Sequence, residues 1–423
     1  MRIFADLHIH SKYSRATSKD LSINNLVRYS RKKGINLLGT GDFTHPEWIK
    51  ELKNSLEEDG SGILKTADGF SFVLSSEISS IYSEGGKIRK IHNVVFAPSF
   101  ECAEQINSEL EKRGVNLKAD GRPICGISCP ELVEIIKGVD ERNHIIPAHV
   151  WTPWFGVFGS KSGFDSLEEC FKDQLKHIFA LETGLSSDPA MNWRLSKLDK
   201  YALISNSDAH SFWPWRIGRE ANVFELKSLS YDGLFRAIKE RDKNKFLYTI
   251  EVDPGYGKYH FDGHRECGVV LSPKEAEKLN NICPVCGRPL TIGVLHRVEE
   301  LADRKEGFVP KNSIPFKSLI PLSEIVSAFI GGQPFSKKVW EIYTDLIKKF
   351  GNELKVLLEA GEEELASVCR EDIAKGIVMV RENKIRIVPG FDGVYGYPLL
   401  GKLKEREMKT ETKRDKQKSL KEF

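Results

Sequence analysis

Charge of one sign is the first thing this sequence lacks. Its 423 residues hold 63 lysines and arginines against 60 aspartates and glutamates, a net charge of +3. No global basic field points to nucleic acid, so a groove for a polyanion must come from local clustering, partly masked in the sum by an acidic metal site. Long apolar runs are missing, as is a signal-peptide pattern before the first strand-like run, so a soluble, cytoplasmic chain with no membrane partner is expected. Glutamine is scarce beside plentiful lysine and glutamate, a mild thermophile signature. No P-loop, Gly-x-Gly-x-x-Gly fingerprint or Ser-His-Asp grouping stands out. With 40% hydrophobic and 29% charged residues the composition is globular, and the length predicts two or three units rather than one core.

What the sequence does have is ligand-type residues where apolar runs stop. His8 and His10 end the run that begins at Ile3. Residues two apart on a strand share a face, so both imidazoles can hold one ion. The pattern recurs. Residues 36–41 lead to Asp42 and His45, 72–74 to Glu77, 90–91 to His92, 145–148 to His149, 178–181 to Glu182, and 201–205 to Asp208 and His210. Helix-like segments such as 23–33 and 130–138 lie between several of these runs. The alternation predicts an α/β fold with parallel strands, a barrel or doubly wound sheet, and chemistry at the strands' carboxyl ends. Imidazoles and carboxylates suit zinc, iron, manganese and harder cations. Clustered cations can grip a phosphate ester and lower the pKa of a bound water, so hydrolysis by metal-activated water is the leading chemistry.

The stretches Asp6-Leu7-His8-Ile9-His10-Ser11, Gly41-Asp42-Phe43-Thr44-His45 and Ser207-Asp208-Ala209-His210, with Glu77, His92 and His149, resemble the polymerase and histidinol phosphatase (PHP) superfamily over about the first half of the chain. The resemblance implies a distorted (β/α)7 barrel with two or three divalent metals (zinc, magnesium or manganese). It implies one metal on His8, His10, Glu77 and Asp208, and a second on Glu77, His92 and His149, with Glu77 bridging. His45 and His210 would serve a third, with Asp20 as partner. The family's usual acid lies in a Ser-Asp-Gly turn, whereas here the stretch before Asp20 reads Ser14-Arg15-Ala16-Thr17-Ser18-Lys19. Asp42 either ligates or orients, and Glu182 would hold a histidine or water. Catalytic roles would fall to His8, His10, Glu77, His149, Asp208 and His210.

A second likeness uses the whole chain. The run from Leu181-Glu182-Thr183-Gly184 through Asp188-Pro189-Ala190-Met191-Asn192-Trp193-Arg194, then a cysteine module and a helical tail, resembles the archaeal endonuclease Q family. That implies a nucleoid-associated DNA repair enzyme nicking 5′ of uracil, hypoxanthine, xanthine and abasic sites, leaving a 3′-hydroxyl and a 5′-phosphate. Two alternatives are a small-molecule phosphatase, which needs neither module nor tail, and a clamp-tethered DNA-binding protein with an inactive barrel, against which the complete ligand series speaks.

Of the 8 cysteines, Cys102, Cys125, Cys129 and Cys170 are scattered through the barrel and read as buried or free thiols. Cys283-Pro284-Val285-Cys286-Gly287 is a knuckle, and His264-Arg265-Glu266-Cys267 supplies two further ligands, so His264, Cys267, Cys283 and Cys286 predict a closed, structural zinc site. His260 and His296 are alternatives to His264. Breaks at Asp253-Pro254-Gly255 and Val309-Pro310 divide the chain into a hydrolase barrel (1–252), a zinc module (253–312), a helical domain (313–400) and a tail (401–423). Apolar spacing from Leu322 to about Arg381 predicts several short helices. Residues 350–368 resemble a helix-hairpin-helix unit without its hairpin glycines, and a helical packing domain is an equal alternative.

The last residues, 402–423, are charged and poor in apolar side chains, which predicts disorder. Gln417, Leu420 and Phe423 match the Gln-x-x-aliphatic-x-x-aromatic peptide that docks on the sliding clamp PCNA. A nuclease that finds one altered base must inspect it outside the stack. Trp151, Trp154, Trp193, Trp213 and Trp215 follow or neighbour ligand-bearing loops and are candidates for a base platform, while Arg194, Arg216 and Arg219 are candidate phosphate clamps.

Overall fold

Ile3, Ala5 and Leu7 are all buried, and the strand they define anchors the fold. The computed structural model describes residues 1–401. Among these, seven strands follow one another round a closed path: β1 (Arg2–Asp6), β2 (Leu37–Gly39), β3 (Ser71–Glu84), β4 (Lys87–Ala97), β5 (His144–Pro147), β6 (Ala180–Glu182) and β7 (Ala202–Ile204). β1–β2, β2–β3 and β6–β7 pair in parallel. β5 meets β6 where the Val150 N–H donates to the Glu182 carbonyl at 3.0 Å. β7 returns to β1 through a parallel bridge of Ile9 with Ala209. The result is a distorted α/β barrel.

Two of the pairings depart from the expected parallel order. β3–β4 and β4–β5 are antiparallel. Gly85 and Gly86 are the cause: both have left-handed φ (60° and 73°), the geometry of a two-residue hairpin turn that glycine adopts without strain. Glu77 and His92 therefore lie within long hairpin strands, and not at strand ends like His149.

Helices α1 (Ile23–Lys33), α2 (Pro46–Ser55), α3 (Phe100–Lys112), α4 (Cys129–Val139) and α5 (Tyr231–Glu240) lie between the strands or follow them. The ends of α1 are explicit in sequence. The Ser22 side chain accepts from the Asn25 N–H, Gly34 takes φ 105°, and Arg31, Lys32 and Lys33 sit in the last turn, where cations suit the helix dipole. One apolar cluster draws on all seven strands, including Ala5, Leu37, Val73, Val94, Ile146, Ala180 and Ile204, and joins Leu234, Phe235 and Ile238 of α5. The α5 ring Phe235 lies 4.4 Å from His144, which opens β5, so α5 closes the strands' amino end and leaves the carboxyl end for chemistry.

Outside the ring, β8 (Ala221–Glu225) pairs antiparallel with β1, and β9 (Phe246–Glu251) with β8. The chain then forms the hairpin of β10 (Asp262–His264) and β11 (Val269–Leu271) and helix α6 (Val294–Leu301). β12 (Phe316–Ser318) returns to pair in parallel with β9 and leads into the C-terminal helical region. That region comprises α7 (Leu322–Ile330), α8 (Lys337–Phe350), α9 (Glu353–Leu358), α10 (Glu362–Ala366) and α11 (Glu371–Arg381). Its Ile325, Tyr343, Leu357 and Ile377 share one apolar cluster with Leu26 and Leu38 of the barrel. None of the described helices is long and apolar enough to cross a membrane.

Candidate metal centre

His8 and His10 lie just beyond β1, both buried. The His8 Nδ1 faces both Glu182 oxygens at 3.1 and 3.0 Å, and the His10 Nδ1 faces Asp42 Oδ1 at 3.0 Å. A carboxylate at Nδ1 fixes the proton there and turns the Nε2 lone pair toward the site. The His8 Nε2 is 3.8 Å from both Glu77 Oε1 and Asp208 Oδ1. The His10 Nε2 is 3.4 Å from Glu77 Oε2 and 3.0 Å from Asp208 Oδ1. Both Nε2 atoms and Asp208 Oδ1 are buried without an aligned hydrogen-bond partner among the described residues.

On the other side of Glu77, Oε1 lies 2.7 Å from the His92 Nδ1 and 3.0 Å from the His149 Nε2, and these two nitrogens are 3.3 Å apart. Three sets of donor atoms result: His8, His10 and Glu77; Glu77, His92 and His149; His10, Asp208 and His210. Within each set the atoms lie within 4.8 Å of one another. Orphaned buried nitrogens converging on carboxylate oxygens fit divalent cations. Glu77 and His10 each belong to two sets.

The charges of these groups are strongly coupled. Burial would raise the Glu77 carboxyl, but His92 and the Arg122 guanidinium hold it well below its ordinary range. Burial would lower His8, but Glu182 beside it pushes it up to about 9. Burial pushes His92 down to about 4. Asp42, His149 and Asp208 carry left-handed backbones (φ 47°, 29° and 48°), a cost that non-glycine residues bear only where surroundings hold them.

Neither His45 nor Asp20 joins a donor set with His210 among the described residues, although the loop before Asp20 touches it, the Ser18 N–H donating to the His210 carbonyl at 3.0 Å. The His45 ring lies against Tyr13, centroids 4.3 Å apart, at the N-terminus of α2. Asp20 is exposed on the loop before α1 and belongs to none of the three sets. Asp42 stands behind His10, its Oδ2 accepting from the Ser11 N–H (2.6 Å) and the Ser14 hydroxyl (2.8 Å). Arg122, whose Nη1 donates to Glu77 Oε2 at 3.0 Å, escaped the sequence reading because it lies on a loop rather than after an apolar run. The one signal near it is Gly121, where a Cβ would come within 2.3 Å of Asp42 Oδ2.

The sets open into a cavity of about 540 Å³ lined by His92, His149, Asp208 and His210 together with Trp154, Tyr259 and Tyr395.

The crystal structure of the lesion-specific endonuclease PfuEndoQ from Pyrococcus furiosus matches with TM-score 0.85 and 33% identity, covering 94% of this chain and 95% of that one. The chain belongs to the endonuclease Q family. An endonuclease Q complex with a 27-mer duplex carrying an abasic lesion at its active site matches with TM-score 0.83 and 33% identity, over 94% of this chain and 96% of that one. YqxK of Bacillus subtilis, an uncharacterized protein, is 34% identical over 412 residues, 93% of this chain and 98% of its own length. MJ0043 of Methanocaldococcus jannaschii, also uncharacterized, is 38% identical over 248 residues, 58% of this chain but 31% of that protein. Residues 321–384 match the family model MJ0043 C-terminal domain.

This endonuclease Q chain has a fourth donor set away from the barrel. His264, Cys267, Cys283 and Cys286 converge, with the Cys286 Sγ 3.8 Å from the His264 Nδ1. Of the alternatives, His296 has its Nδ1 2.6 Å from Asp262 Oδ2, and His260 lines the metal cavity. Four donors with sulfur leave no open position, as in structural sites.

The aromatic candidates separate. Trp154, 41% exposed, lines the cavity. Trp151 is buried and donates its Nε1–H to Asn192 Oδ1 at 2.8 Å. Trp193 is buried against Phe316, and Trp213 and Trp215 stack at 5.0 Å beside Trp340 of α8. These four fill joints between elements, as large aromatic rings commonly do. Arg194 is held by Glu299 through two bonds of 2.7 and 2.8 Å. Arg216 is exposed beside a second cavity. Gln417, Leu420 and Phe423 lie outside the described residues, as does the stretch read as disordered.

Proposed function

We propose that this chain is a DNA repair endonuclease that hydrolyses the phosphodiester 5′ of uracil, hypoxanthine, xanthine or an abasic site, leaving a 3′-hydroxyl and a 5′-phosphate. The sharing of Glu77 and His10 among three donor sets at one cavity mouth carries the reading. The likeness to a family member holding an abasic duplex supports DNA as substrate.

Two or three divalent cations (Mg²⁺, Mn²⁺ or Zn²⁺) bound at these sets would polarise the phosphoester and activate water. The ligands assigned are His8, His10, Glu77, His92, His149, Asp208 and His210. Glu182 and Asp42 hold the rings of His8 and His10 in the tautomer that presents Nε2. Arg122 steadies Glu77 on the side away from His92 and His149. Trp154, with Tyr259 beside it, offers aromatic faces at the rim against which a base outside the helix can stack.

His264, Cys267, Cys283 and Cys286 are assigned a structural Zn²⁺. The division at residues 252, 312 and 400 into barrel, zinc module, helical domain and tail belongs to the same reading. So does docking of the tail on PCNA through Gln417, Leu420 and Phe423.

The test is a set of strand-labelled duplexes, each with one uracil, hypoxanthine, xanthine or abasic site, incubated with Mg²⁺, Mn²⁺ or Zn²⁺. A single nick 5′ of the lesion, extendable by a polymerase, is expected, with undamaged duplex intact. Hydrolysis of free phosphomonoesters with no DNA cleavage would replace this reading with that of a small-molecule phosphatase.

A further inference from the structure

A second cavity, of about 530 Å³, adjoins the metal cavity and shares Leu185, Gly257 and Tyr395 with it. The helical region contributes Glu324, Gly331 and Pro334 to its lining. Two arginines of the loop that carries Asp208 and His210 face it, Arg216 and Arg219. Neither has a carboxylate within salt-bridge distance among the described residues, in contrast to Arg194, Arg297 and Arg304, which are all ion-paired. The Arg219 Nη2 donates to the Ser207 carbonyl at 3.2 Å, while its Nε is buried with no partner. Burial and the neighbouring Arg216 disfavour the Arg219 charge, and Glu220, Asp208 and Glu324 offset them only in part. A half-buried guanidinium whose Nε finds no acceptor keeps donor capacity to spare, and a bidentate oxyanion is the ligand its planar fork matches. Glu324 lines the same cavity, half-buried and without an ion pair to either arginine; burial raises its carboxyl, and Arg219 and Arg216 offset part of that rise.

Position supplies the rest. Ser207 precedes Asp208 by one residue, a Cα step of about 3.8 Å, so the Arg219 guanidinium lies immediately behind the metal-facing loop. Because the two cavities share lining residues, a strand whose scissile group sat at the metal cavity could run on into the second one.

We propose that Arg216 and Arg219 form a phosphate clamp that holds a backbone phosphate one or two nucleotides from the scissile one, in the strand that is cut. The proposal rests on the nuclease reading above. The clamp fixes the register of the strand and leaves recognition of the altered base to the neighbouring cavity.

The experiment uses the full chain and abasic duplexes in which single phosphates flanking the lesion are replaced, one position at a time, by neutral methylphosphonate. Binding is measured by fluorescence anisotropy in Ca²⁺ over a salt series, and nicking in Mg²⁺ or Mn²⁺ at saturating duplex. One flanking position is expected to weaken wild-type binding roughly tenfold or more, the scale of a charge-assisted contact. Arg216→Ala and Arg219→Met should weaken binding of the all-phosphate duplex similarly and lower the log–log salt slope by about 0.9 per lost contact. They should no longer respond to methylphosphonate at that one position, because the contact is already gone. Arg216 is exposed, so its variant separates clamp loss from misfolding, which a thermal melt also reports. Variants that keep the wild-type affinity, salt slope and methylphosphonate profile would overturn the clamp while leaving lesion nicking, and with it the nuclease reading, intact. Duplexes bound through the clamp but cut under no metal would overturn the nuclease reading instead.

Discussion

Asp42 Oδ1 lies 3.0 Å from the His10 Nδ1, and the ring between them turns its Nε2 toward Glu77 and Asp208. The carboxylate is itself held on its other oxygen by Ser11 and Ser14. Asp42→Asn keeps the shape but loses the acceptor charge that fixes the tautomer. Metal affinity is expected to fall roughly 10- to 100-fold, the usual cost of losing such a partner, in protein that a thermal melt shows to be folded. Titration with Mn²⁺ followed by calorimetry reads this; an unchanged affinity would mean Asp42 does not orient His10.

Lys33 and Glu353 tie the barrel to the helical region. The Lys33 Nζ is 2.7 Å from Glu353 Oε1 and donates also to the Pro214 carbonyl at 2.9 Å. Tyr343 donates to Glu353 Oε2 at 3.0 Å. Both charges are buried, so removing one strands the other. Glu353→Ala is expected to cost about 3–5 kcal/mol, read as a lower denaturation midpoint, whereas replacing both by apolar residues should cost less.

The cysteine knuckle predicts one firmly held metal independent of the barrel. Cys283→Ala should remove one equivalent of zinc from the purified protein and open residues 262–291 to limited proteolysis. Barrel metal content should stay the same. Full zinc retention in this variant would exclude Cys283 as a ligand.

His144 supplies a pH dependence unconnected with the metals. Burial, with Lys137 and Lys239 nearby, pushes it down to about 3, and its ring stacks among Phe179, Tyr231 and Phe235. An unfolded chain takes up its proton near pH 6.5, so the stability this group contributes is present above that pH and declines as pH falls toward 3. Wild type should therefore lose more stability than His144→Phe between pH 7 and pH 5, measured by urea midpoints. Parallel losses in the two proteins would show that His144 is protonated in the folded state.

Much of this arrangement was legible in the chain, and the parts that were not share a cause. The His8-x-His10 spacing on a strand placed two rings on one face, and the Cys-x-x-Cys knuckle with His264 and Cys267 marked four donors that do converge. Both signals are local, set by one strand or one turn. The antiparallel β3–β4 hairpin was marked only by Gly85 and Gly86, and reading the apolar runs as strand ends hid it. The third donor set was not legible. Nothing local tells that His10 and not His45 reaches His210, because the stack of His45 on Tyr13 depends on how α2 meets the first loop. Arg122 and the packing of Trp151 and Trp193 are likewise products of tertiary contact. A tryptophan beside a ligand reads the same in sequence whether it fills a joint or lines a cavity.

The central claim is that Glu77 stands between cations at one mouth of the barrel. Crystals soaked in Mn²⁺ and measured at the manganese absorption edge test it directly. The account predicts at least two anomalous peaks within bonding distance of the Glu77 carboxylate, one toward His8 and His10 and one toward His92 and His149. An anomalous map with no peak beside Glu77, at Mn²⁺ concentrations that support nicking, would contradict it.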